Sequence, residues 1–304
     1  MAVGGIASTL TIINGDGKCA NTPVLELPVL YLNWPTTLAW FGNSVVGCGA
    51  NSCTGGDSSC DYMWDDCYSY ETNANIWRKI RSPTQYDYNK LNFTWSLSGN
   101  ELVNINEELY IFFPGSVQVY SEDLDIWTEV TEMPRGIGSP DGDCIVDLGN
   151  NEFFMRSTYY LSGHHVFHYK FNIDSNVWTK LPRNINSKVE KTHCVKVDLP
   201  DGGAGVMLVG GTSYVYPLDS EFADRRESRN VEILNLSSLM WEEKDSFDER
   251  WIQTTTYNND ELSFYSFLYL DDKPTLIGRF DDTDKNVMEQ YDIAEDTWSL
   301  EYFD

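Results

Sequence analysis

Four of the seven cysteines crowd into one stretch: Cys48, Cys53, Cys60 and Cys67, with four, six and six residues between neighbours. None forms a Cys-x2-Cys pair and no histidine lies nearby, which makes a poor zinc site. A loop stapled by disulfides fits better and would place the chain in an oxidising compartment. Free thiols, some buried as small hydrophobes, are the alternative. Cys144 and Cys194 fit that alternative, since each sits inside an apolar, strand-like run. The odd count leaves at least one thiol unpaired within the chain. Of the four histidines, His164 and His165 share a loop, His168 enters a strand and His193 lies apart; surface or packing roles are favoured over a metal site, and no cofactor is expected.

The carboxylates cluster as Asp57, Asp61, Asp65 and Asp66, and again as Asp281, Asp282 and Asp284. Neither group has the spacing of an EF-hand loop, so each reads as a solvated, self-repelling face. No Gly-x-Ser-x-Gly elbow, phosphate-cradling loop or His-Glu-x-x-His occurs, so no catalytic residue is nominated. A different chemistry gathers between Thr212 and Asn230, where Tyr214, Tyr216, Arg225, Arg226 and Arg229 form a basic and aromatic cluster in an acidic protein. Such a cluster suits an acidic or carbohydrate partner; alternatively the arginines pair with Asp219, Glu221 and Asp224. Two glycosylation sequons, Asn92-Phe93-Thr94 and Asn235-Leu236-Ser237, add a little weight to a secreted reading.

The charge balance, 21 basic against 47 acidic residues for a net of −26, argues against nucleic acid as a partner, because phosphate binding requires a basic face. No run approaches 18 apolar residues, so no membrane span is expected. The first residues lack the basic and apolar regions of a signal peptide; either the protein is cytosolic or a mature sequence starts here.

The elements that would position these groups repeat along the chain. Six tryptophans, Trp34, Trp77, Trp127, Trp178, Trp241 and Trp298, recur at intervals of 43, 50, 51, 63 and 57 residues. Seven residues before each stands a bulky apolar residue: Leu27, Tyr70, Tyr120, Phe171, Leu234 and Tyr291. Segments between, such as Glu71-Thr72-Asn73-Ala74-Asn75, Asn172-Ile173-Asp174-Ser175-Asn176 and Asp292-Ile293-Ala294-Glu295-Asp296, are rich in Asn, Asp, Ser and Thr, whose side chains bond their own backbone in tight turns. Each unit reads as strand, short turn, strand. Apolar runs ending in glycine, such as Val206-Met207-Leu208-Val209-Gly210-Gly211, precede several hairpins, with a further short strand before them. That gives four strands in about fifty residues and no convincing helix.

The order of apolar strand, Gly-Gly, variable loop, apolar-x-x-Tyr, turn and Trp resembles the kelch repeat. Leu208-Val209-Gly210-Gly211 followed by Val231-Glu232-Ile233-Leu234 and Trp241 is the most faithful copy, and Tyr68-Ser69-Tyr70 to Trp77 is another. Other copies depart from it: Pro114-Gly115 and Met155-Arg156-Ser157 stand where Gly-Gly is expected, and the last unit keeps Gly278 alone. The resemblance implies an all-β, six-bladed kelch-type β-propeller of four-stranded antiparallel blades. It would form a single domain over 1–304, with approximate repeats 1–35, 36–82, 83–133, 134–183, 184–246 and 247–304. The first blade would lack its first strand. The function expected is non-enzymatic: a binding or scaffold domain, extracellular, presenting propeller loops to a protein or glycan. A kelch-propeller enzyme, such as a copper oxidase or sugar-modifying enzyme, and an intracellular substrate adaptor are the alternatives.

Overall fold

In the computed structural model the described residues are 2–6, 9–13, 37–48, 67–71, 73–74, 76–83, 101–113, 115–133, 139–159, 165–186, 189–190, 192–215, 224–254, 260–262, 264–280 and 286–303. They are almost wholly β, with one 3-10 turn at Glu249–Trp251. The chain divides into two compact units, Met1–Pro140 and Asp141–Asp304.

The first unit opens with a hairpin of β1 (Ala2–Ile6) and β2 (Thr9–Ile13). Two four-stranded antiparallel sheets follow. The first comprises β3 (Thr37–Phe41), β4 (Ser44–Cys48), β5 (Cys67–Glu71) and β6 (Ile76–Ile80); the second comprises β7 (Glu101–Ile105), β8 (Glu108–Phe113), β9 (Ser116–Ser121) and β10 (Ile126–Glu132). A third sheet comprises β11 (Ser139–Gly149), β12 (Glu152–Tyr159), β13 (His165–Asn172) and β14 (Val177–Leu181), all but the first two residues of β11 belonging to the second unit. After β15 (Val189–Glu190) comes a fourth, built from β16 (His193–Asp198), β17 (Ala204–Val209), β20 (Val231–Asn235) and β21 (Met240–Lys244). Strands β18 (Thr212–Val215) and β19 (Asp224–Glu227) interrupt this sheet, and β22 (Ile252–Thr254) and β23 (Asp260–Leu262) follow it. The fifth comprises β24 (Phe264–Leu270), β25 (Lys273–Arg279), β26 (Asn286–Asp292) and β27 (Thr297–Phe303).

In every sheet the strands lie in chain order, the topology of a propeller blade. Within each unit successive blades pack face to face. Val46, Cys67 and Ile80 of the first blade share a buried cluster with Leu109, Ile111 and Trp127 of the second. Cys144 and Phe154 of the third cluster with Leu208 and Leu234 of the fourth. Val209 and Ile233 of the fourth cluster with Leu276 and Tyr291 of the fifth.

Among the described residues there are five such blades, not the six expected. The segment 1–35 contributes only the β1–β2 hairpin among the described residues, and Leu27 and Trp34 lie outside them. In sequence, Leu27-Pro28-Val29-Leu30-Tyr31-Leu32-Asn33-Trp34 departs from the other five copies, with a proline after the bulky residue and no polar residue in the four turn positions.

The seven-residue offset is a register. Tyr70, Tyr120, Phe171, Leu234 and Tyr291 stand directly opposite Trp77, Trp127, Trp178, Trp241 and Trp298 across the β-ladder. A four-residue loop closes each hairpin, and its last residue takes a left-handed conformation in Asp125, Asn176, Leu239 and Asp296. The loop is braced at its start: Asn172, Asn235 and Asp292 accept backbone N–H bonds from the turn with their side-chain oxygens.

The tryptophans also tie blades together. The indole N–H of Trp127 donates to the Arg81 carbonyl at 2.8 Å, that of Trp241 to Pro182 at 3.0 Å and that of Trp298 to Asp245 at 2.8 Å. Each acceptor is the residue just after the outer strand of the preceding blade. In two cases the bond is reciprocated: the Arg81 amide donates to Asp125 at 2.8 Å and the Asp245 amide to Asp296 at 3.0 Å. Tyr120 and Tyr291 complete these clamps by donating to the same two aspartates.

Among the described residues two disulfides are formed. Cys48 and Cys67, directly opposite on β4 and β5, are bonded with their Cα atoms 4.2 Å apart. Cys144 and Cys194 are bonded as well, Cα to Cα 4.9 Å, joining the inner strands β11 and β16 of neighbouring blades. The second pair corrects the expectation of free buried thiols there. Each cysteine does lie in an apolar strand, but blade packing brings the two strands together. Cys53 and Cys60 lie outside the described residues.

Candidate functional site

Blade topology sorts the connections between two ends. Those joining strands one to two and three to four emerge at one end; those joining two to three, and one blade to the next, emerge at the other. The first end is economical. Asn106-Glu107, Asn150-Asn151 and Asp271-Asp272 are two-residue turns with positive φ at both positions, the geometry that suits strand twist. The second end varies widely. Phe113 pairs with Ser116 across only Pro114 and Gly115, whereas Val209 pairs with Val231 across 210–230. Residues Gly210 and Gly211, with φ of 66° and 104°, turn the chain out of the fourth blade, a conformation open to glycine.

That longest connection builds structure of its own. Strands β15, β18 and β19 form a three-stranded sheet, and β19 lies beside β23 of the separate β22–β23 hairpin. The basic and aromatic candidates therefore sit on this added sheet. Tyr214 is in direct register with Arg225, and Ser213 with Arg226. Arg229 lies just beyond β19 and donates to the Phe247 carbonyl at 3.0 Å, so it braces the connection leading to the fifth blade. Tyr216 lies outside the described residues, as do Asn92 and His164. Asn235 lies at the opposite, economical end, where its side-chain oxygen caps the turn at Ser237 and Ser238.

Beneath the added sheet, between the third and fourth blades, is a buried polar layer. Arg156 on β12 and His168 on β13 are directly opposite one another and fully buried. Glu232 on β20 is 3% exposed. Arg156 donates to the Val189 carbonyl on β15. Glu232 accepts from the side chain of Asn184 and from the Asn186 amide at 3.1 Å, both in the connection that leads into β15. His168 lies 5.6 Å from the Phe154 ring, stacked, and 4.9 Å from Trp241.

The electrostatics follow from burial. Burial first, and then the Arg156 charge, lower the His168 pKa to about 3, although the nearby Pro182 carbonyl opposes the shift; the imidazole is neutral at ordinary pH. Burial raises the Glu232 pKa, opposed by the Asn184, Asn186 and Ile185 hydrogen bonds and by the Arg156 charge. The fifth blade repeats the carboxylate. Glu289, also raised by burial, accepts from the Trp251 indole and from the Asp248 amide at 3.1 Å, both in the connection that leads into that blade. Two successive glutamates thus each hold the incoming connection against the blade it enters.

His165 lies at the start of β13 and His193 at the start of β16. Among the described residues no three His, Cys, Asp or Glu side chains are grouped as a metal ion would need. The sequence reading missed Glu232 and Glu289, which lie among the abundant acids of the chain. Their signal was present: each stands two residues before the residue facing the tryptophan. No family model matches the chain, and no curated protein does.

Proposed function

We propose that this chain is a kelch-type β-propeller that works as a secreted, non-enzymatic recognition module, presenting the loop-end sheet of its fourth blade to a protein or glycan partner. The observation that carries the reading is the contrast between the two ends of the blades. One is closed by minimal turns, and the other carries the β15–β18–β19 sheet with Tyr214 and Arg225 in register. Variable segments raised on a fixed scaffold are where binding residues concentrate. The two disulfides support an oxidising compartment.

The test is a screen of the purified full chain against an array of glycans and secreted ectodomains, repeated with Tyr214→Ser and Arg225→Glu. A ligand bound by the parent and lost by both variants, with melting unchanged, is the expected result. Turnover of a sugar or alcohol by the parent on addition of copper would overturn the non-enzymatic reading.

A further inference from the structure

Four of the five blades show what the fold itself places at the level of Arg156 and His168. Their cross-strand pairs are Cys48 with Cys67, Phe112 with Val117, Val209 with Val231, and Ile277 with Met288. Each pair occupies the same register, with its strand-three member three residues before the residue facing the tryptophan. Only the third blade departs from sulfur or hydrocarbon. Burying a guanidinium is unfavourable unless its donors and its charge are met, and a blade of this kind packs without one.

What distinguishes the third blade is its neighbour above. Arg156 bonds to Val189, the first residue of β15. Strand β15 pairs with β18 through Val189–Ser213 and Glu190–Thr212, and β18 pairs with β19. The Arg156 charge also acts on Glu232, which holds Asn184 and Asn186 of the same connection. We infer that Arg156 is a positioning residue: it pins the β15–β18–β19 sheet to the third and fourth blades in a single arrangement. The pin fixes the surface that carries Tyr214 and Arg225, and its role in recognition rests on the function proposed above; its mechanical action does not.

The experiment compares full-length parent, Arg156→Met and Arg156→Lys by amide hydrogen exchange and thermal unfolding, with no partner present. In Arg156→Met, exchange in 189–190 and 212–215 should accelerate about tenfold or more while the other blades keep their protection. The unfolding midpoint should hold or rise. Arg156→Lys, which keeps a donor and the charge, should restore part of the protection. Unchanged exchange in those strands would overturn the inference, as would a uniform rise across all five blades. If Arg156→Met fails to fold, the double variant Arg156→Val with His168→Val, the pair the fourth blade uses, makes the same comparison. Because the readout needs no ligand, failure of the pin and failure of the recognition reading are separable.

Discussion

Replacing His168 by valine, the residue already present at its fourth-blade counterpart Val231, isolates a buried base. In the fold His168 stays neutral down to a pKa of about 3, whereas its ordinary value is 6.5. A base whose pKa is depressed by folding stabilises fully above its unfolded pKa, and that stability is lost as pH falls. Between pH 6.5 and 3 the unfolded chain binds a proton that the folded chain refuses, at about 1.4 kcal/mol per unit. The loss reaches about 2 kcal/mol by pH 5 and tends to a ceiling of about 5 kcal/mol near pH 3. Carboxylates shift in both directions. Asp125, Asp248 and Asp296, whose pKa values are lowered, lose stability on acidification, while Glu232 and Glu289, whose values are raised, gain it. These contributions are common to both proteins. Urea unfolding followed by tryptophan fluorescence at pH 8, 7, 6 and 5 should therefore show the parent losing about 2 kcal/mol more than His168→Val across the series. Parallel pH profiles would refute the reasoning, as would a His168 ring resonance titrating near its ordinary value.

Trp127→Phe and Trp298→Phe each keep an aromatic ring but lose the bond to Arg81 or Asp245; each should cost about 1–2 kcal/mol in urea unfolding, and no loss would mean that the clamp is packing alone. Removing Cys144–Cys194 should cost about 4 kcal/mol for its separation of 50 residues, and removing Cys48–Cys67 about 3 kcal/mol for its separation of 19. Non-reducing peptide mass mapping of the parent should show both linkages. Leu239 sits in the left-handed region at φ 56° and is 42% exposed, where its counterparts are Asp125, Asn176 and Asp296. Leu239→Asn should raise stability by about 1 kcal/mol in thermal unfolding.

The blades were legible because a repeated register leaves a repeated spacing. A bulky residue and a tryptophan facing one another across a four-residue turn must stand seven apart, and five hairpins keep that rule. Leu27 and Trp34 keep the spacing as well but lie outside the described residues, and Pro28 and the apolar turn positions set that copy apart in sequence. The Cys144–Cys194 bond was illegible because its partners stand 50 residues apart and meet only when blades stack. Arg156 was visible as a lapse in the repeat, beside the Ser157 that takes the place of Gly210. Its purpose was hidden, because its hydrogen-bond partner Val189 comes from a later connection. The loop sheet was half legible: Thr212 to Asn230 was marked by Tyr214 and its arginines, but the strand pairing that brings Tyr214 opposite Arg225 was not.

The second blade supplies the most direct test of the recognition end, because it joins its second and third strands with Pro114 and Gly115 alone. Replacing residues 210–230 by Pro-Gly should leave the fourth blade folded and the unfolding midpoint within a few degrees, while binding to the ligand found for the parent chain disappears. A shortened protein that binds the same ligand with an unchanged Kd would contradict the assignment of the loop-end sheet as the recognition surface.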